Sequence, residues 1–516
     1  MKTKTYFNLV VGASLMGAIF TSHSIFAMGM MGGGMMGGST TTTIDPPKGA
    51  AFKDPVKLAN TSTVNGVVKV NLEAKVAPIN INGTTANLYT YNGQFPAPTI
   101  SVKRGDTLKV HFTNSLPNTG LNMMGDGNDL TNLHTHGLHV SPEGNSDNVM
   151  LSFMNKQSFD YQYDLSLHPA GNLNWYHPHR HGNVATQVWR GMAGVLDVAD
   201  DNSLLSGFET HIMVLKDISL TGNAPAEHTS SDWMNGKEGN TIMVNGQVNP
   251  VLTMKPGQIQ RWKIVNASNA RFYKLNLASH NLQIIGTDGG LLNKPYPQSS
   301  IVMSPGERLD ILVQATKTAG YYKLSSSPYN RGMGMMSASG SSQQITLLTV
   351  NVTGAAVTHT VPTSINPNAT RVTVPYGTPT RKISLSMSMM GGMMGGSSGM
   401  GMATINGIAF SATNAFTAYS KLSSGYEIWE VTNNSMMDHP FHQHVNSAQV
   451  LSITGGDSAY SSFYTSAPAW KDTVIVPKGG TARLLVPVKD FTGLAVFHCH
   501  ILEHEEMGMM GLWDIR

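Results

Sequence analysis

One short pattern occurs three times in this chain, and it limits the fold more than any other feature. Tyr91-Asn92-Gly93-Gln94-Phe95-Pro96 leads to Arg104-Gly105-Asp106, then to a strand with Leu108, Val110 and Phe112 on one face, and closes at Asn114. Val244-Asn245-Gly246-Gln247, Pro256-Gly257-Gln258, a strand over 259–265 and Asn266 repeat it. Ile405-Asn406-Gly407, Ser424-Gly425-Tyr426, a strand over 427–431 and Asn433 repeat it again. The period is roughly 155 residues, the size of a domain. Alternating apolar residues mark half-buried strands, as in Val68, Val70 and Leu72. Three copies of one β unit predict an all-β chain of three Greek-key β-sandwich domains. They are expected over residues 46–202, 203–355 and 381–516. Pro362, Pro367, Pro375 and Pro379 mark 356–380 as a linker.

The amino-terminal end reads differently. Lys2 and Lys4, an apolar run over 9–20 and Ile25-Phe26-Ala27 fit a signal peptide over residues 1–27. The run is too short for an ordinary membrane span, and no later stretch is long and apolar enough for one. The chain is therefore expected to be exported, without a span once the signal is removed. Residues 28–45, rich in Met, Gly and Thr, read as a flexible arm. A net charge of +3 gives no nucleic-acid face.

The only cysteine sits in His498-Cys499-His500. An exported protein can form disulfides, but one cysteine cannot form one internally, so Cys499 is free to be a ligand. On a strand, Cys499 points one way and His498 and His500 the other. Metals bound on both faces would then be linked through short covalent paths. His504 and Met509 follow at a spacing that lets a turn bring them back to the sulfur. Two histidines, a thiolate and a weak thioether are the ligands of a blue-copper electron-transfer site. His134-Thr135-His136, His177-Pro178-His179 and His442-Gln443-His444, the last preceded by His439, add further strand-spaced pairs. Two pairs in the first domain and two in the third predict one cluster between those domains. Eight imidazoles can hold three metal ions, and the neighbouring thiolate set points to copper.

The four motifs resemble those of the multicopper oxidases, which have three cupredoxin domains. The resemblance covers about residues 65–516, with its most specific stretches at 134–139, 175–182, 439–444 and 498–510. It implies four copper ions: one type 1, one type 2 and two type 3. It implies a type 1 copper at His439, Cys499, His504 and axial Met509, and a type 2 copper at His134 and His442. It implies one type 3 copper at His136, His177 and His500, and the other at His179, His444 and His498. In such an enzyme, four one-electron oxidations at the type 1 copper drive reduction of O2 to two waters. Proton delivery calls for nearby carboxylates. Glu505 matches a family acidic position, and Asp147 is the candidate for the second, with Glu143 as its rival. His139 and His181 exceed the family set and read as supporting or surface residues.

Methionine is the second signal. Met387, Met389, Met390, Met393, Met394, Met400 and Met402 lie among Gly and Ser in 387–402, and Arg331-Gly332-Met333-Gly334-Met335-Met336 is a smaller copy. Such runs have no apolar periodicity and make a poor core, whereas thioethers suit Cu(I). The larger run resembles the Met-rich segment of bacterial periplasmic cuprous oxidases that act in copper tolerance. Met437 and Asp438, just before His439, are candidates for the same Cu(I) site. A laccase-like phenol oxidase, a ferroxidase acting on Fe(II), and an exported copper-storage protein are the alternatives. Three domains in one chain bring the first and third together, so a monomer suffices.

Overall fold

A computed structural model describes residues 42–332, 343–388, 402–411 and 413–516. Among the described residues the strands form three successive pairs of sheets along the chain, and Leu220–Thr221 with Ala224–Pro225 make a separate two-stranded sheet. The first pair joins strands between Val67 and Ala199, and the third joins strands between Thr380 and Ile515. The middle pair uses strands between Glu209 and Val352, together with Thr42–Ile44. This is an all-β fold of paired sheets, as the sequence predicts.

The repeat seen in the sequence is a repeat of hydrogen bonds. Asn92-Gly93, Asn245-Gly246 and Asn406-Gly407 all have positive φ at both residues. That left-handed pair makes the tight turn whose twist matches its flanking strands. Each Asn side chain pins its turn to a neighbouring strand. Asn92 Oδ1 accepts from the Glu73 amide and its Nδ2 donates to Asn71 O. Asn245 does the same with Val214 and Ile212, and Asn406 with Ser384 and Lys382. The closing asparagines repeat a second device. Asn114, Asn266 and Asn433 each accept from the amide two residues on and donate to two carbonyls. Asn433 donates to Met437 O and Val476 O at 2.8 and 2.9 Å, which fixes the loop that delivers His439.

Two elements differ from expectation. Thr42–Ile44, placed by composition in the flexible arm, pairs in parallel with Gln343–Ile345, and Asp45 bonds both Lys323 and Thr346. Backbone pairing and an ion pair order residues whose composition alone would leave them free. Thr380–Ser388 and Met402–Ile405 form an antiparallel pair, so Met387 and Met402, the two ends of the Met-rich run, lie on paired strands. Met387 is a half-buried strand residue against the core, opposite Ala403. Met389, Met390, Met393, Met394 and Met400 lie outside the described residues, as do Met333, Met335 and Met336.

Candidate metal centre

Strand pairing brings the histidine motifs together. His134 lies opposite His177 and His136 opposite Trp175 on one antiparallel pair. His442 lies opposite His498, and Phe441 opposite Cys499, on another. Alternation along these strands therefore puts His442 and His498 on one face. Cys499 joins the other, in the apolar core with Phe441 and Phe497.

Around Cys499 the sulfur is fully buried. His439 Nδ1 is 3.3 Å and His504 Nδ1 3.8 Å from Sγ, and the two nitrogens are 3.3 Å apart. The far nitrogens are held: His439 Nε2 is 2.7 Å from Ser435 Oγ, and His504 Nε2 is 3.3 Å from Met234 O. A carbonyl can only accept, so His504 carries its proton on Nε2 and offers Nδ1 as a lone pair. Met509 is buried, and its carbonyl accepts from the Cys499 amide at 3.0 Å while its own amide donates to His504 O. Burial pushes His439 down to about 3 and His504 well down, so both rings are neutral. Burial pushes the Cys499 thiol far up. Such a thiol becomes a thiolate only against a metal ion.

The other eight histidines form one buried cluster. His179 Nε2 and His444 Nε2 face His498 Nε2 at 3.1 and 3.4 Å. His134 stacks on His444 with centroids 4.1 Å apart, and His136 on His442 at 3.8 Å. His500 lies 4.9 Å from His136 and 5.6 Å from His177. Outer nitrogens are taken by protein. His177 Nδ1 donates to Pro178 O, His442 Nδ1 to Asp472 O and His498 Nδ1 to Cys499 O. Inner nitrogens are orphaned: His134 Nε2, His136 Nδ1, His177 Nε2, His442 Nε2 and both nitrogens of His500 are buried without a hydrogen-bond partner. Leaving one such atom unsatisfied costs about 1–3 kcal/mol. So many buried imidazole nitrogens without a partner mark a place built for metal ions, and imidazole suits copper. Three-ligand groupings within 4.8 Å include His439, Cys499 and His504, then His179, His444 and His498, then His134, His442 and His444. The first two coincide with sets implied by the motif resemblance. The set of His136, His177 and His500 does not converge in that way: His136 and His177 group with His134 instead.

Asp147 and Glu505 both lie against histidines of the cluster. Asp147 is 2.9 Å from His134 Nδ1 and accepts from the Thr135 amide and hydroxyl. Burial pushes it up to about 7. Glu143 is exposed and lies against Gly493, away from this contact. Glu505 is fully buried, 3.3 Å from His498 Nδ1 and 3.7 Å from His179 Nδ1. Burial, then Glu506 and Glu503, raise it well above the usual carboxylate range.

Sequence reasoning missed Asp472 and Arg308. Asp472 Oδ1 is 3.2 Å from His136 Nε2 and 2.7 Å from Arg308 Nη1, whose guanidinium also donates to Leu173 O. Arg308 thus ties all three pairs of sheets to the cluster. Nothing in Lys471-Asp472-Thr473 distinguishes it from a solvated turn. His139 and His168 are buried supports: His139 bonds Val445 O and Asp490, and its amide donates to His168.

Near Cys499, Met437 and Asp438 are buried and already engaged. Arg331 Nη1 lies 3.7 Å from Met437 Sδ, and Asp438 accepts from Tyr329 OH and the Lys478 amide. Burial raises the Asp438 carboxyl above its usual value.

Three family models described as multicopper oxidase match residues 73–203, 208–353 and 364–516. A multicopper oxidase of Staphylococcus epidermidis is 29% identical over 439 residues, covering 83% of each chain. A laccase of Bacillus subtilis is 26% identical over 515 residues, covering 90% of this chain and 96% of its own. A solved multicopper oxidase from Campylobacter jejuni, described as a metallo-oxidase, superposes with a TM-score of 0.76 at 29% identity, covering 93% of this chain and 98% of that one.

Proposed function

The chain belongs to the multicopper oxidase family, and from that premise we propose that it oxidises Cu(I) at the Cys499 site and reduces O2 at the histidine cluster. Four bound coppers would supply the one-electron steps that carry O2 to two waters. His439, Cys499, His504 and Met509 would hold the type 1 ion, and His134 and His442 the type 2 ion. The type 3 ions would take His136, His177 and His500, and His179, His444 and His498. Cys499 is bonded directly to His498 and His500, so the chain itself links the two sites. Burial of every ligand excludes water from both. Asp147, beside His134, and Glu505, between His179 and His498, hold protons on their carboxyl oxygens where O2 reduction consumes them. The motif at residues 1–27 supports export to the periplasm.

The observation that carries the Cu(I) reading is the placement of the described residues that border the two Met-rich runs. The Ala403 amide donates to Met507 O and the Phe410 amide to Gly508 O, so the strand leaving 387–402 is bonded to the turn before Met509. Arg331 O accepts from the Asp438 amide, and a Cβ at Gly332 would lie 2.1 Å from Met436 O. Both thioether runs are thus tethered to residues that flank the Cys499 ligands. The description of the Campylobacter jejuni relative as a metallo-oxidase agrees.

The test replaces 389–401 by Asn-Gly, joining the paired residues Ser388 and Met402 through a tight hairpin. Oxygen uptake by the copper-loaded protein is measured with Cu(I), Fe(II) and a simple phenol. Loss of Cu(I) turnover with phenol turnover kept or raised is the expected result. Unchanged Cu(I) turnover would reduce the run to a cover and favour laccase-like activity. Turnover with Fe(II) alone would favour a ferroxidase, and none with any reductant would favour storage.

A further inference from the structure

His181 stands apart from the ligands above. It closes His177-Pro178-His179-Arg180-His181, and its side chain is 13% exposed. Both ring nitrogens are buried and have no hydrogen-bond partner. Glu506 Oε2 lies 3.8 Å from Nδ1, beyond hydrogen-bond reach. The Glu506 oxygens are occupied by the Gly182 and Ala185 amides. The ring meets Phe410 edge-on, with centroids 4.9 Å apart. An imidazole with no partner at either nitrogen is short of a ligand, not of packing.

A cleft of about 270 Å³ opens beside it, lined by His181, Met150, Met510, Phe410 and the edge of His179. Met150 is 45% exposed and Met510 is buried. The donors here are an imidazole and two thioethers. No free carboxylate lines the cleft, so a hard cation such as Ca²⁺ finds no oxygen ligands. An anion finds no free cation there either. Arg180 Nε donates to Ser152, its Nη1 to His181 O, and its Nη2 pairs with Asp126 at 2.7 Å. That pairing also offsets part of the repulsion a bound cation would meet. Imidazole with thioether is the donor set of soft monovalent ions.

We propose that this cleft binds one soft monovalent cation, Cu(I) or its analogue Ag(I), between the His181 imidazole and the thioethers of Met150 and Met510. The site owes nothing to the Met-rich runs and stands whether or not Cu(I) is the enzyme's reductant. It gives the chain a capture point separate from the four coppers of the family.

The test titrates Ag(I), which O2 cannot oxidise further here, into the copper-loaded full chain. Silver retained after desalting is counted per chain in the parent, in His181→Gln and in Met150→Leu. Crystals grown with silver are measured at a wavelength where its anomalous signal locates it. Expected are one silver fewer per chain in each variant and an anomalous peak in the parent's cleft. An unchanged silver count in either variant, or a parent cleft without silver, overturns the proposal. Met150 is half in solvent, so Met150→Leu leaves the fold intact should His181→Gln fail to fold. Phenol-driven oxygen uptake checks that the copper centres survive in both.

Discussion

Asp472 joins a candidate metal ligand, His136, to the buried charges behind it. Its carboxylate stands between His136 Nε2 and the Arg308 guanidinium, and all three are buried. Burial alone would raise its pKa, but Arg308 and then His136 hold it well below the usual carboxylate range. It is therefore an anion at every working pH and keeps the His136 proton on Nε2, leaving Nδ1 for metal. Asp472→Asn removes that anion and strands Arg308 in the interior. Stranding one partner of a buried pair typically costs about 3–5 kcal/mol. The expected outcome is a clear fall in Tm and loss of copper from the histidine cluster, with the blue thiolate–copper absorption of the Cys499 site retained. Metal analysis alongside the visible spectrum checks it. Full copper content in a stable Asp472→Asn protein would mean that His136 needs no such partner.

At the scale of elements, the short helices are where this fold carries hidden dependence. Helix Val184–Trp189 has no side-chain cap from its own Asn183. Glu506, from helix Leu502–Glu506, supplies it by accepting from the Gly182 and Ala185 amides. Two helices that each follow a ligand motif are thereby locked together. Glu506→Ala leaves two buried amides unsatisfied, at about 1–3 kcal/mol each. Glu506→Gln keeps one acceptor and is expected to recover part of the loss. Thermal unfolding of the two variants tests this, and equal Tm values for Ala and Gln would refute the capping role. No sequence pattern announced this contact. The strands and ligand pairs were legible because alternation and His-x-His spacing are local signals, as at His442-Gln443-His444. The partners were not, because Asp472, Arg308 and Glu506 act across sequence separations of 164 to 336 residues. Thr42–Ile44 was hidden for the same reason: its order comes from pairing with Gln343–Ile345, about 300 residues away by the separation of Thr346 from Asp45.

For the whole molecule, the cluster is a seam between the first and last pairs of sheets, and its ligands set how the protein answers to pH. Burial lowers nine of the candidate ligand histidines: His134, His136, His177, His179, His439, His444, His498, His500 and His504. Below the ordinary histidine value of 6.5, the unfolded chain takes up protons that the folded one cannot, so stability falls as pH falls. Five buried carboxyls act in the opposite sense. Asp147 and Glu506, both raised to about 7, with Glu505, Asp288 and Asp438, keep protons that the unfolded chain has released, so acid favours the fold through them. Nine groups against five decide the sign. The copper-free protein should lose Tm steadily between pH 7 and pH 5. Bound copper competes with protons for the same lone pairs, and affinity for it weakens only as protons win. The copper-loaded protein should therefore hold its Tm to lower pH, with the gap between the two forms widest just below 6.5. Calorimetric scans of both forms across this range measure the gap directly. A copper-free Tm that stays level or rises on acidification would mean that the seam opens to water without metal, letting the histidines titrate as they do in the unfolded chain.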